Sequence, residues 1–253
     1  NLRLLDGSSF YWPQPESKLS FTGDIDVSGT VRIGTYTSRA IYFGGAFTGS
    51  GTIDFAGYDI ADNAHAVYVL TNANPNFSGK MILRTAYQDS KSVPSLNADY
   101  GELQFKDSDV FGADLATLTP DAFLLKDYAQ LKTWSGPDLT IAKSSNRGIA
   151  VQGNGRIWTI GNLRLETSLT VDGTFYKEGA GKLRLACPTV SVNGNDHIVL
   201  SHGTLTVGGA MSGVTLQIAA NTALVLDPDP DNAVFPSDDM IMDAISHGEQ
   251  FVG

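Results

Sequence analysis

Apolar and polar residues alternate along most of this chain, in runs of three to five residues. In the first half the pattern appears in Lys18-Leu-Ser-Phe-Thr22, Thr30-Val-Arg-Ile33, Thr52-Ile-Asp-Phe55 and Glu102-Leu-Gln-Phe105. It becomes stricter in Leu163-Arg-Leu165, Leu169-Thr-Val171, Lys182-Leu-Arg-Leu185, Val190-Ser-Val192, Thr204-Leu-Thr-Val207 and Val214-Thr-Leu-Gln-Ile218. Alternation places every second side chain on one face, the pattern of a half-buried β-strand. Gly-Asn, Gly-Ser-Gly, Asp-Gly and Asn-Gly turns separate the runs. A sandwich or up-and-down barrel uses strands of roughly five or six residues, with turn signals about 8 to 12 residues apart. The runs here are shorter and more closely spaced. A parallel β-helix accommodates them, because each coil contributes short strands that stack on the coil below at ~4.8 Å. The pattern therefore predicts an all-β chain, a right-handed single-stranded parallel β-helix (solenoid) over residues 18–226, with about ten to twelve coils of roughly 20 to 25 residues each.

Two stretches break the period. Thr119-Pro-Asp-Ala122 has an N-cap residue followed by proline, so Phe123, Leu124, Tyr128 and Leu131 can line a helix face. The same stretch also divides into two strands around a Lys-Asp turn, and we favour the strands. Ser237–Ile245 reads as a short capped helix with Gly248 as its stop. Residues 227–253 are thus expected to form an acidic linker and a short helix, either covering the end of the solenoid or leading into a removed region. At the other end, Phe10-Tyr-Trp-Pro-Gln-Pro-Glu16 is a poor strand, and residues 1–17 are expected to be a cap or edge cover. Gly49-Ser-Gly-Thr-Ile-Asp-Phe55 also aligns with Gly179-Ala-Gly-Lys-Leu-Arg-Leu185, and Gly101–Phe105 with Gly203–Val207, as expected of stacked repeats.

Composition narrows the function classes. Glycine is abundant at 27 residues, and charged residues, at 17%, fall below the usual ~25%. With 17 basic against 27 acidic residues the net charge is -10, which repels a phosphate backbone and an anionic membrane surface. Nucleic acid is excluded as the expected partner, and no apolar run approaches the ~18 to 20 residues of a membrane span. Cys187, the single cysteine, allows no intrachain disulfide and no thiolate-rich metal site; its apolar neighbours point to a small core residue. The start at Asn1, with no Met and no signal-like run, reads as a mature or excised piece of a longer protein.

Phe175-Tyr-Lys-Glu-Gly-Ala-Gly-Lys-Leu-Arg-Leu185 resembles the signature of the autotransporter-associated β-strand repeat family, in which a Lys, a Gly-Ala-Gly turn and an alternating Leu strand recur. Phe77-Ser-Gly-Lys-Met-Ile-Leu83, Gly101–Phe105 and Val110-Phe-Gly-Ala113 are similar to other phrases of that family, as are Asn146–Ile149 and Gly153–Ile157. The resemblance spans roughly residues 20–226 in short, degenerate motifs. It implies a parallel β-helix in a secreted or cell-surface bacterial protein, commonly an autotransporter passenger, and brings no catalytic residues with it. The insertion Thr85–Tyr100 is longer and more polar than the family's phrase, and no β-barrel translocator follows.

No motif fixes a reaction. His65, His197, His202 and His247 lack metal-ligand spacing, no Gly-x-Ser-x-Gly elbow occurs, and Gly153-Asn-Gly155 lacks the Lys-Ser/Thr of a phosphate loop. Asp227-Pro-Asp-Pro-Asp231 carries alternate carboxylates, but its prolines hold it extended and no tight-turn glycine or distant Glu completes a Ca²⁺ loop. No metal and no cofactor are expected. Asp24 with Asp26, or Asp107 with Asp109, offers outward carboxylates to a polysaccharide-cleaving β-helix, which would assemble its site across coils. Trp134, Trp158 and Tyr176 are candidates for stacking on sugar rings, and Trp158 leads, since it faces outward if Ile157 faces in. The expectation is a non-catalytic structural or adhesion module whose partners are glycans or host or cell-surface proteins. The alternatives are a carbohydrate-active enzyme of the lyase or glycoside hydrolase type and a glycan-binding module.

Overall fold

The computed structural model describes residues 1–12, 18–35, 40–57, 66–86, 101–134, 138–187, 190–192, 196–208, 211–212 and 214–226. It is a parallel β-solenoid with three lateral faces, met in order along each coil. The first face starts with Leu2–Leu4, Ile25–Val27, Phe47–Gly49 and Asn76–Phe77, and resumes with Leu139–Ile141, Leu163–Leu165, Lys182–Leu185, Thr204–Val207 and Ala223–Leu226. The second runs from Ser9–Trp12 through Thr30–Thr35, Thr52–Gly57, Lys80–Ala86 and Thr119–Lys126 to Met211–Ser212. The third runs from Leu19–Phe21 through Ala40–Phe43, Ala66–Leu70, Gly101–Phe105 and Ala129–Thr133 to Thr215–Ile218. Arg147–Trp158 and Leu169–Glu178 are long strands that turn the corner from second to third face without a break.

Every ladder among the described residues is parallel, and apart from irregularities at Arg84–Ala86 and Thr119–Phe123 the register is kept, so the alternation of the sequence becomes columns. Leu163, Leu183, Leu205 and Leu224 stack inward on the first face, Ile53, Met81, Phe123, Ile149 and Leu169 on the second, and Leu103, Leu131 and Ile157 on the third. Each such side chain contributes roughly 1.5–3 kcal/mol by leaving water. Phe21 and Phe43 extend the columns with rings stacked at 5.5 Å.

The solenoid completes about eight turns between the first and last of nine strands on each of the second and third faces, against the ten to twelve coils expected. The steps are unequal: Leu163 pairs with Leu183, but Met81 with Phe123, across a coil containing the insertion. Residues 87–100 of that insertion lie outside the described residues. Residues 13–17 likewise lie outside the described residues. Leu2–Leu4 and Ser9–Trp12 pair in register with Ile25–Val27 and with Arg32–Thr35, so these two strands form the terminal edge of the first and second faces. Tyr11 and Trp12 make ladder bonds there as strand residues, because parallel pairing outweighs their poor local pattern. Thr119–Lys126 and Ala129–Thr133 are the two strands favoured over a helix, separated by Asp127 and Tyr128 at positive φ.

The self-similar phrases do not stack as repeats. Thr52–Phe55 lies on the second face and Lys182–Leu185 on the first; Gly101–Phe105 lies on the third and Thr204–Val207 on the first. The likeness reflects one turn-then-strand chemistry used at different corners. Residues 227–253, with the acidic run and the expected helix Ser237–Ile245, lie outside the described residues.

The first face is interrupted once. Between Asn76–Phe77 and Leu139–Ile141 the chain makes one 3₁₀ turn, Ser108–Phe111, capped by the Asp107 carboxylate accepting from the Asp109 amide at 2.9 Å. Buried polar side chains take over the missing ladder bonds. Asn74 accepts from the Phe47 amide at 2.7 Å and donates to the Val110 carbonyl. Arg147 donates to the carbonyls of Ala113, Gly79 and Phe77 at 2.7, 2.8 and 2.7 Å. Backbone carbonyls left unpaired in a core cost about as much as lost hydrogen bonds, so these side chains make the interruption tolerable.

At the corner shared by the long strands, Gly173 sits on Gly153 in register, with φ of 131° and 74° respectively. A Cβ at Gly173 would lie 1.8 Å from the Gly153 carbonyl oxygen. Gly173→Ala should destabilise the molecule by about 2–3 kcal/mol through strain and coil separation, measured by urea unfolding. An unchanged midpoint would show that this corner is not closely packed.

Candidate functional site

Parallel register converts the outward positions of the third face into a grid. Gln104, Lys132, Trp158 and Glu178 form one column, and Glu102, Gln130, Arg156 and Tyr176 the next. Trp134 extends the first column sideways, its indole Nε1 donating to Gln104 Oε1 at 2.6 Å. The three aromatics singled out in the sequence, Trp134, Trp158 and Tyr176, thus share one face on successive coils.

Trp158 is half-buried while Ile157 is fully buried, so the indole does face outward. It lies over the backbone of Gly179, where an added Cβ would come within 2.8 Å of its Cδ1. Lys132 Nζ stands 5.8 Å from its ring centroid, and Lys106 Nζ stands 5.7 Å from that of Trp134, both in cation–π range. Half-burial also pushes the Tyr176 hydroxyl pKa up, with Tyr128 adding to the effect.

The carboxylates of this face are engaged. Glu102, buried despite its outward position, accepts from Gln104 and Gln130 and lies 3.4 Å from Lys132 Nζ. Glu178 pairs with Arg156 at 3.4 Å. Three coil steps and one column separate Glu102 from Glu178, roughly 15 Å by sheet spacings. The carboxyl pairs of glycoside hydrolases stand about 5–9.5 Å apart.

Of the other carboxylates named from the sequence, Asp24 and Asp26 tie coils together. Asp24 accepts from the Ala46 amide at 3.0 Å, and Asp26 pairs with Arg3 at 3.3 Å and accepts from Thr48 Oγ1 at 3.4 Å. Asp107 caps the 3₁₀ turn, and the Asp109 carbonyl accepts from the Asn74 amide at 3.0 Å. His197 lies in a third-face strand between Thr174 and Thr215, and the His202 carbonyl accepts from Lys177; His65 and His247 lie outside the described residues. Among the described residues no group of three or more His, Cys, Asp or Glu is placed to hold a metal ion. None of their helices is long and apolar enough to cross a membrane. Cys187 is buried, its thiol pushed up to about 12 by burial, which leaves it a core residue without nucleophilic character.

Two buried cations at inward positions escaped the sequence reading. Lys177 occupies an inward position between Ile157 and Leu200. It donates to the carbonyls of Glu178, Gly179 and His202 at 2.7, 2.9 and 2.9 Å. Lys177 is the lysine of the family-like phrase, and these bonds fasten the Gly-Ala-Gly turn to the next coil. Arg147 likewise shares the parity of the inward residues Ile149 and Val151. A charge at inward parity was the available signal.

Comparison with protein-family models, curated proteins and solved structures returns no match for the chain. The repeat-like phrases therefore remain a resemblance, and the parallel β-solenoid rests on the ladders themselves.

Proposed function

We propose that this chain is an extracellular structural or adhesion module of a bacterial surface or autotransporter-like protein, a non-catalytic scaffold that presents its side faces. The observation that carries the reading is the use of outward polar groups as ties between coils. Arg3–Asp26, Arg84–Asp54, Lys132–Glu102 and Arg156–Glu178 each join different coils across a side face. Carboxylates held singly by cations and amides stabilise a rod, and on the third face Glu102 and Glu178 stand three coils apart. Glycans or cell-surface proteins are the partners that such faces would meet, and the Trp134–Trp158–Tyr176 surface has the flat apolar edges and amide groups that sugars use.

The test is a panel of neutral and acidic polysaccharides incubated with the chain and assayed for new reducing ends and for unsaturated products. No release above buffer is expected. Cleavage of one polymer, abolished by a single Asp→Asn or Glu→Gln change on a side face, would replace the scaffold with an enzyme.

A further inference from the structure

A second grid lies on the first face. Thr140, Arg164, Arg184 and Thr206 stack in register, while Asp138, Asn162 and Lys182 each sit two residues earlier on their own coil. Side chains two residues apart on a strand share a face, so the cations of three positions gather there. Between them lies a half-open groove of about 220 Å³, floored by Leu139 and Leu163 and lined by Thr140, Asn162, Arg164, Lys182 and Arg184. That volume is below the ~300–1,000 Å³ of pockets that enclose a whole small molecule, and suits a charged group together with part of one ring.

Two features select the ligand. Arg164 and Arg184 stand directly opposite one another on neighbouring coils, which brings two guanidiniums to one place on the face. Glu166 holds Arg164 Nε at 2.6 Å, which orients the guanidinium, and Lys182 adds a third positive charge beside the pair. Planar guanidiniums match a carboxylate through paired N–H donors. The rim, however, also carries groups that a bare inorganic anion does not use: the Thr140 hydroxyl, and the Asp138 carboxylate with the Asn162 amide donating to it at 2.9 Å. Acceptors beside cations fit a ligand that brings both a carboxylate and hydroxyl donors.

We propose that this groove binds the carboxylate-bearing ring of an acidic saccharide, with Arg164, Arg184 and Lys182 on the carboxylate and Asp138, Asn162 and Thr140 on the ring hydroxyls. The proposal rests on the scaffold reading only in that the saccharide is held and not cut. A local cationic groove on a chain of net charge -10 also makes the binding selective in place, since anionic polymers are repelled elsewhere.

Calorimetric titration of the chain at low salt would use trigalacturonate, neutral maltotriose, inorganic phosphate and a short polyglutamate. Trigalacturonate should bind at least tenfold more tightly than the other three, and more weakly as salt is raised. Arg164→Gln/Arg184→Gln should lose at least tenfold in affinity and Lys182→Gln severalfold, while Thr170→Ala on the second face should leave the affinity unchanged. Amide shifts at Thr140, Asn162 and Leu163 in the unaltered chain locate the site even where the double variant folds poorly. Equal binding of maltotriose, tighter binding of polyglutamate or phosphate, no binding of trigalacturonate, or shifts elsewhere would overturn the groove as a saccharide site. None of these outcomes bears on whether polysaccharide is cleaved, so the scaffold reading is judged separately.

Discussion

Arg147→Met should destabilise the middle of the solenoid by about 3–5 kcal/mol, the expected cost of removing one member of a buried, hydrogen-bonded charged network. Arg147 is 2% exposed, and its guanidinium donates to carbonyls of Phe77, Gly79 and Ala113, reaching across coils 34 to 70 residues distant in sequence. It also lies 5.9 Å from the centroid of the Phe77 ring. Methionine fills part of the volume but gives those carbonyls no donor, at the one place where the first-face ladder is replaced by a 3₁₀ turn. Burial pushes the arginine pKa down and Asp114 opposes this, so the side chain enters the core at a cost that its fixed donors offset. Urea unfolding gives the size of the loss. Hydrogen exchange should locate it at the amides of Phe77 and Ala113, since solenoids open locally. Arg147→Lys should recover only part of the loss, because one ammonium does not reproduce the fork. A loss below 1 kcal/mol would mean that water reaches these carbonyls.

Lys177→Met should cost about 2–4 kcal/mol at neutral pH, because three inward carbonyls lose the donor that joins the Gly179–Gly181 turn to the next coil. The effect has a pH signature. Burial brings the Lys177 pKa down to about 8, with Glu178 opposing, from an ordinary value of 10.5. Between these values the unfolded chain binds a proton that the folded chain has released, so stability contributed by this residue rises with pH across that window. Cys187, raised to about 12 from 9.0, acts in the opposite sense: its share of stability is complete below pH 9 and declines as pH rises toward 12. Methionine at position 177 leaves the cysteine contribution in place, so the gap between parent and variant should widen from pH 8 toward 10.5. A gap that stays constant would mean that Lys177 keeps an ordinary pKa.

The fold was legible because a solenoid writes its core locally. Ile53 and Phe55, or Leu183 and Leu185, announce their inward direction by alternation alone, and short runs between glycine turns favour coils over a sandwich. The number of turns was less legible, since nothing between Thr85 and Tyr100 reveals that one coil step takes 42 residues, from Met81 to Phe123. The strand Ser9–Trp12 was hidden for a related reason. Pairing with Thr30–Thr35, which is tertiary, keeps Phe10, Tyr11 and Trp12 in a strand. Trp158 was readable because its orientation follows from Ile157. The grids on the first and third faces were not, because Arg164 meets Arg184, and Glu102 meets Gln130 and Lys132, only through register, which a single sequence does not encode residue by residue. Lys177 and Arg147 lay between these extremes: parity marked them as inward, while their acceptors belong to other coils.

Register is also what every surface grid depends on, and disulfide trapping reads it directly. Thr170 and Ser191 are outward partners on adjacent coils of the second face, whereas Ala150 lies one coil further from Ser191. Adjacent strands stand ~4.8 Å apart, within the 4.4–6.8 Å that a disulfide spans between Cα atoms, and two steps exceed it. Buried Cys187 stays out of the exchange. Under mild oxidation, Thr170→Cys/Ser191→Cys should close an intramolecular disulfide in high yield, and Ala150→Cys/Ser191→Cys should remain reduced. The reverse pattern, or no bond in either variant, would contradict the parallel, in-register solenoid.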